Sequence, residues 1–585
     1  MEIQRLEIVF FYWKGVIIMS AEQISGSLVT RRYSSFKGVD FSSRKDEISL
    51  YRSPDALNVW RNYRNSNGGC IESRASIELV KEFTDTIFAL FFYTYGGTTH
   101  RIVHAGTKLY DNDNVVYSKM AKNRSQSFVY ENKLYIKDGT NYLVYDGTSV
   151  KEVEGYIPTT SISRNPSGGG TIYEDANLLT GIRKNSFVSD GTSKEYFVDS
   201  PNFDSDYKVR VWVNDTEVTN GFSVNASTGK IVFTNAPAEP NTVGQDNVII
   251  QFRKTIAGER EKIEKCTLSE VFDGRVFFAG NPDYQNMLWH CSLDDPTYCS
   301  DLDKYPEGTN DSKIKALISG NNALWVMKES SQTNTTIFYH NPTIDDEHGK
   351  VYPSIHSSIS TGCISTGTNF NDDIVFFSER GLEGISGDVT TEQAISHRST
   401  LVDSKLLNEA KYKEVLLEEW EGYLLVIAGN HIYLADSREV TTINDHVEYE
   451  WFYWELNIDI TSTRVKDGVL YLCSGKTVYK LTKTDTDIEA YWTTIEDEFR
   501  YPQYQKTTNK KGCVVDLEGE EVTISVRTDN NNFEKIKTYS NVKGYIAARI
   551  KKKKWKSIQL KFSSNKPFNL YSSTLEAYVG SYVKR

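Results

Sequence analysis

Nine histidines and seven cysteines are the side chains of this chain best suited to hold a metal, and their spacing decides what they can do. A structural zinc needs four ligands, usually as two closely spaced pairs. His290-Cys291 with Cys299 offers too few partners, and Cys70, Cys266, Cys363, Cys473 and Cys513 are scattered. An odd number of dispersed thiols reads as reduced structural cysteines from a cytosolic assembly route. Asp345-Asp346-Glu347 is an acidic turn that could meet calcium, but it lacks the EF-hand and RTX patterns. No GxSxG, HExxH or Walker loop is present to organise a nucleophile, a zinc-bound water or a phosphate. The sequence therefore assigns no catalytic residue, no metal ligand and no cofactor.

The one marked charge run is Lys551 to Lys554 beside Trp555 and Lys556. Lysines next to an aromatic could touch nucleic acid or an acidic neighbour; the competing reading is a solvated hairpin edge, its lysines blunting aggregation. The net charge of -11 and pI near 5.5 argue against a dedicated duplex-DNA binder, which needs basic surface to neutralise phosphates.

The elements that must position these residues are strands. An apolar phrase begins at Ile87 (IFALFF), Lys133 (KLYI), Arg275 (RVFF), Ala323 (ALWV), Asp373 (DIVFF), Tyr423 (YLLV) and Val469 (VLYL), in steps of 46, 142, 48, 50, 50 and 46. A second phrase follows each: TKLY, NYLVY, NMLWH, TTIFY, GLEGI, NHIYL and KTVYK. Units of this length cannot bury both faces of a small sheet alone and stack on their neighbours. The step of 142 becomes regular if it hides an insertion of about 94 residues. The fold expected is all-β: a seven-bladed β-propeller over 83–164 and 259–485, an inserted β-sandwich over 165–258, and a β-sandwich-like C-terminal domain over 486–585. Asp403 to Leu417 is the clearest helix candidate.

Within the insertion, a Gly168-Gly169-Gly170 hinge precedes alternating strands joined by Asp-Gly and Thr-Gly turns. Its DGTxxxY/F, VxVN and GxIxFxxAP runs resemble small accessory domains of phage tail and fibre proteins. Such a domain is either a stabilising flap or an assembly contact. Residues 1–18 contain IVFFYWKGVII, too short for a membrane span and without a small-residue cleavage site, so no membrane association is expected. Lys14-Gly15-Val16 before Met19 reads like a translated ribosome-binding site, which makes residues 1–18 an expected mis-called start and Met19 the true one.

Residues 19–82 form an N-terminal arm of different character, with Ser53-Pro54-Asp55 as a turn, a short helical start at Ala56 to Trp60, and Gly68-Gly69 as a hairpin. The order of Ser53, Pro54, Asn58, Trp60, Gly69, Ile71, Glu72 and Arg74 resembles the amino-terminal signature of bacteriophage stabilization proteins. Ala75-Ser76 stands where that family has Pro-Gly. The run from His431 to Asn457, the segment IEAYWTT and the terminal FNLYSSTLEAYVGSYVKR resemble the last blade and last strands of the same family.

The resemblance implies a structural virion protein: one subunit of a homo-oligomeric ring at the head-tail junction or tail nozzle, assembled in the bacterial host cytoplasm. Its partners would be its own copies, the portal and adaptor or other tail proteins, and DNA passing through the lumen without sequence-specific binding. An acidic lumen would let DNA slide where a basic one would trap it. Pro54, Asn58, Trp60 and Arg74, in an arm rich in Arg and Asn, are the candidate assembly contacts; losing Trp60 or Arg74 is then expected to impair assembly more than folding. Two other classes compete. One is a tail-tip or fibre protein that binds host carbohydrate through exposed aromatics. The other is a propeller glycoside hydrolase using an acid pair or a tyrosine nucleophile, for which Thr528-Asp529-Asn530 is a single degenerate Asp-box outside the propeller.

Overall fold

Seven four-stranded antiparallel sheets follow one another along the chain, and in six of them the first phrase named above meets its second phrase in the middle. The computed structural model describes residues 27–64, 70–331, 335–345, 349–357, 359–385, 394–443, 446–482, 487–529 and 531–582. The proposed mis-called start, Gly68-Gly69, Asp346-Glu347 and Asn530 lie outside the described residues. The chain divides into two compact units, one from Ala75 to Thr484 and the other from the residues on either side of it.

The first unit is a seven-bladed propeller. The innermost strand of each blade, A, spans Ile87–Tyr95, Gln126–Tyr130, Leu268–Phe272, Ile314–Gly320, Gly367–Phe370, Leu416–Trp420 and Ser462–Lys466. These strands touch in cyclic order, the seventh against the first, so the ring is closed. Closure is completed at the rim. Ser76–Glu82, expected to belong to the arm, pairs antiparallel with Thr477–Thr482 from Thr477 opposite Glu82 to Thr482 opposite Ser76, and is the outer strand of blade 7. A strand from the start of the ring thus locks its end, and the arm stops before it.

Packing explains why the units repeat. One apolar cluster joins Ala89, Phe91 and Ile102 of blade 1 to Leu134, Ile136 and Leu143 of blade 2; others join blades 2 and 3, 3 and 4, 4 and 5, and 7 and 1. Each core layer is shared between neighbours, so no blade is stable by itself. Local chemistry sets the register. The A-to-B connections are two-residue turns with both φ angles positive: Gly96-Gly97, Glu131-Asn132, Asp273-Gly274, Asn321-Asn322, Asn371-Asp372, Glu421-Gly422 and Asp467-Gly468. That is the type I′ geometry whose twist matches paired strands, and it favours Gly, Asn and Asp. The turns also correct the first repeat: IFALFF is strand A of blade 1, whereas the strand equivalent to KLYI or RVFF is Thr98–Ala105, after Gly96-Gly97.

The helix expected over Asp403 to Leu417 is reduced to Asp403–Leu406 and a single 3-10 turn at Tyr412–Glu414, because Leu416–Trp420 is needed as the inner strand of blade 6. Tertiary pairing there overrides helix propensity. Among the described residues no helix is long and apolar enough to cross a membrane.

The insertion between blades 2 and 3 is a sandwich of a six-stranded and a three-stranded sheet around Phe187, Tyr196, Val211, Ile231, Ile250 and Phe252. Its first long strand is Thr159–Arg164, parallel to Ile182–Phe187, so the insertion begins before residue 165. Gly168-Gly169-Gly170 belongs to the tight connection that folds Thr171–Ile172 back on Thr159–Arg164, and is no hinge. The base is tied down. Asn177 donates to the carbonyls of Tyr156 and Thr297 and accepts from the backbone of Leu179 and Cys299, while Arg260 donates to the carbonyls of Leu179 and Val153.

The second unit weaves the N-terminal segment into the C-terminal strands. Ser27–Tyr33 pairs with the final strand Phe568–Tyr582, Ala56–Leu57 with Ala490–Thr493, and Ile71–Ser73 with both Val59–Trp60 and Phe568–Tyr582. Its spine is the 25-residue strand Tyr504–Thr528, which pairs along one part with Phe568–Tyr582 and along another with Ile558–Ser564.

Candidate functional site

Asn58 is where the N-terminal segment is fastened, and its type suits its backbone. At φ 55° it sits in the left-handed region, which Asn tolerates better than other residues with a Cβ. This turns Ala56 to Trp60 into two short strands with a corner, in place of the expected helical start. The Asn58 amide donates to the Glu489 carbonyl at 2.9 Å. Its side-chain oxygen accepts from Arg74 Nε at 2.7 Å, and its carbonyl from the Arg74 backbone at 2.8 Å. Burial lowers the Arg74 pKa to about 10.

The preceding turn is bonded the same way. Ser53 Oγ accepts from the Asp55 backbone at 3.2 Å, Thr493 donates to the Asp55 carbonyl at 2.7 Å, and Tyr491 donates to the Asp55 carboxylate at 2.9 Å. Trp60 is 7% exposed, Asn58 5%, and Pro54 half-buried. Of the four candidate contacts, Asn58 and Arg74 bond to each other and Trp60 lies in the same short-strand layer, whereas Pro54 only shapes the turn. Asn58 and Trp60 have little surface left for a neighbouring subunit, and their first duty is to hold this unit together. Losing Asn58, Trp60 or Arg74 is accordingly expected to loosen this unit as well as any contact it makes.

The surface this unit leaves open lies elsewhere. Glu534–Ala548 pairs only with Tyr504–Thr528, so its other edge carries unpaired backbone groups among the described residues. Lys535, Lys537 and Lys543 stand exposed along it, and Tyr545 is 73% exposed. Lysines on an edge discourage indiscriminate strand addition. The run Lys551 to Lys554 falls on a similar edge. Lys551, Lys553 and Lys554 face solvent and Lys552 pairs with Glu534 at 2.6 Å. Trp555 is buried edge-on against Phe499 with ring centroids 5.6 Å apart, so it offers no face on which a base could stack.

Several polar groups of the propeller are buried. Burial alone would lower the pKa of His397, but a hydrogen bond to Asp403 at 2.6 Å and an ion pair with Glu383 at 3.2 Å outweigh it and hold the ring protonated, with a pKa of about 10. Ser399 Oγ lies 3.5 Å from His397 Nε2 in an outline resembling a nucleophile-base pair, yet it is fully buried and gives its proton to Asp403 at 2.7 Å. The cluster is a strut between blade 5 and the segment leading to blade 6. His290 has its pKa lowered to about 4 by burial, and Cys291 is pushed up to about 12 by the same cause. All seven cysteines are free and buried. Among the described residues no group of three or more His, Cys, Asp or Glu is placed to hold a metal ion.

Comparison with family profiles and with curated proteins finds no match to this chain. Solved structures similar to it include BamB from Moraxella catarrhalis, at 10% identity and a TM-score of 0.33 over 70% of this chain and 96% of that one. Another is the extracellular domain of a putative hybrid two-component system from B. thetaiotaomicron, at 10% identity and 0.23 over 88% and 80%. A third is an exo-beta-1,3-galactanase from Phanerochaete chrysosporium, at 6% identity and 0.17 over 78% and 97%.

Proposed function

We propose that this chain is a structural protein of a bacteriophage particle, one subunit of a homo-oligomeric ring at the head-tail junction or tail nozzle that retains DNA and completes the conduit. The observation that carries this reading is where the signature residues fall. Ile71 and Glu72 of the N-terminal signature pair with Leu570 and Asn569 of the C-terminal segment, so both ends of the phage-like pattern belong to one folded sheet. A pattern split between the two termini and reunited in one unit supports a shared architecture better than two isolated motifs would. The long open edge of Glu534–Ala548 supports an assembling subunit, since head-to-tail contacts need a surface that the monomer leaves unfilled. The net charge of -11 suits a wall past which DNA must slide.

Gold labelling of this protein on intact particles tests the proposal. A single band at the head-tail junction or tail tube is the expected result; label at the distal tip or none on the particle overturns it. Distal label would favour the carbohydrate-binding reading, for which the exposed Tyr156 and Tyr173 beside the inserted domain are the observation in hand. A glycan array with Tyr173→Ala as comparison then decides that alternative.

A further inference from the structure

A cavity of about 510 Å³ lies among the inner strands of the propeller, and its charge is opposite to that of the chain as a whole. The net charge of the protein is -11. The ionisable residues lining the cavity are Arg124, Lys315 and Arg464 against the single carboxylate Glu270.

The three cations differ in how they are satisfied. Lys315 is paired with Glu329 at 2.9 Å. Arg464, on the inner strand of blade 7, reaches Glu418 at a loose 3.5 Å and lies over the Phe91 ring, 5.9 Å from its centroid. Arg124, just before the inner strand of blade 2, has no hydrogen bond or ion pair from its guanidinium among the described residues. Arg124 keeps exposed surface, yet partial desolvation in the cavity wall lowers its pKa and the charge of Arg464 lowers it further, so the two guanidiniums repel. Ser269 and Ser365 belong to the same wall, but their hydroxyl oxygens are buried beneath its surface and, among the described residues, have no hydrogen-bond partner. Folding has therefore brought two like charges to one cavity, with Glu418 close to Arg464 and no carboxylate paired with Arg124 among the described residues. A planar guanidinium matches an oxyanion bidentately, and two of them facing one cavity do so at the least desolvation cost.

We propose that the propeller's central cavity is a binding site for a small multivalent oxyanion, a polycarboxylate or phosphate ester, held between Arg124 and Arg464. This inference does not depend on the particle role.

The test is calorimetric titration of the full chain with citrate and with inorganic phosphate at constant ionic strength set by chloride. Saturable binding of at least one probe is expected, with a loss of at least tenfold in affinity in both Arg124→Gln and Arg464→Gln and no change in the exposed-lysine control Lys543→Gln. Thermal melting without ligand separates this from a structural role. Arg124→Gln removes a repulsion and breaks no bond, so it should melt at or above the wild-type temperature. No binding of either probe, equal loss in the Lys543→Gln control, wild-type affinity in both arginine variants, or a marked fall in melting temperature of Arg124→Gln would overturn the proposal.

Discussion

Replacing Asn58 by alanine removes three things at once, and each has a size. Alanine in the left-handed region costs about 1–2 kcal/mol. The neutral hydrogen bond to the Glu489 carbonyl is worth about 1 kcal/mol, and the charge-assisted bond from Arg74 about 1.5–3 kcal/mol. Together these come to about 4 kcal/mol, which is about a thousandfold in a local opening equilibrium. Asn58→Gly separates the parts, because glycine accepts φ 55° without strain and loses only the side-chain bonds. Its loss should be smaller by the strain term. Hydrogen exchange followed by mass spectrometry, on peptides covering Ile71–Ser73 and Ala490–Thr493, reads this unit separately from the propeller. Protection should fall in the order wild type, Asn58→Gly, Asn58→Ala. If alanine costs less than tenfold, or glycine is as damaging as alanine, Asn58 is not the fastening described.

Stability of the propeller should fall as pH rises. His397 has a folded pKa raised to about 10, so its contribution is complete below the unfolded value near 6.5 and is lost as pH climbs through 10. Urea midpoints measured from pH 6 to 10 should drop in the wild type and drop less in His397→Gln; parallel curves would refute the assignment. Glu131 is exposed and occupies the first position of a type I′ turn at φ 44°, so Glu131→Asn should raise stability by about 0.5–1 kcal/mol, read as a higher melting temperature. A lower one would mean that this side chain has a role the turn does not explain.

The blades were legible because each makes the same local demand. A middle strand buried on both faces must be apolar along its length, and KLYI, RVFF, ALWV, DIVFF, YLLV and VLYL meet that demand wherever they occur. Blade 1 was misaligned because its inner strand IFALFF is as apolar as a middle strand. The paired turn residues, from Gly96-Gly97 to Asp467-Gly468, were the signal in the sequence that distinguishes the two. Asn58 and Arg74 stood out by their order along the chain, but order alone made them look like contacts for another subunit. Their bond to each other and to Glu489 shows that they also hold their own unit together.

By itself, the sequence determined the all-β character, the repeat of blades and the presence of an inserted β unit, since alternation, turn chemistry and apolar phrases are properties of short segments. Only the tertiary structure decided that Ser76–Glu82 closes blade 7, that the N-terminal strands enter the C-terminal sheet, and that Arg124 and Arg464 face one cavity from blades 2 and 7. Each of these joins residues far apart in the chain. A strand's pattern states that it needs a partner edge, and only the closed topology leaves one edge vacant for it to fill.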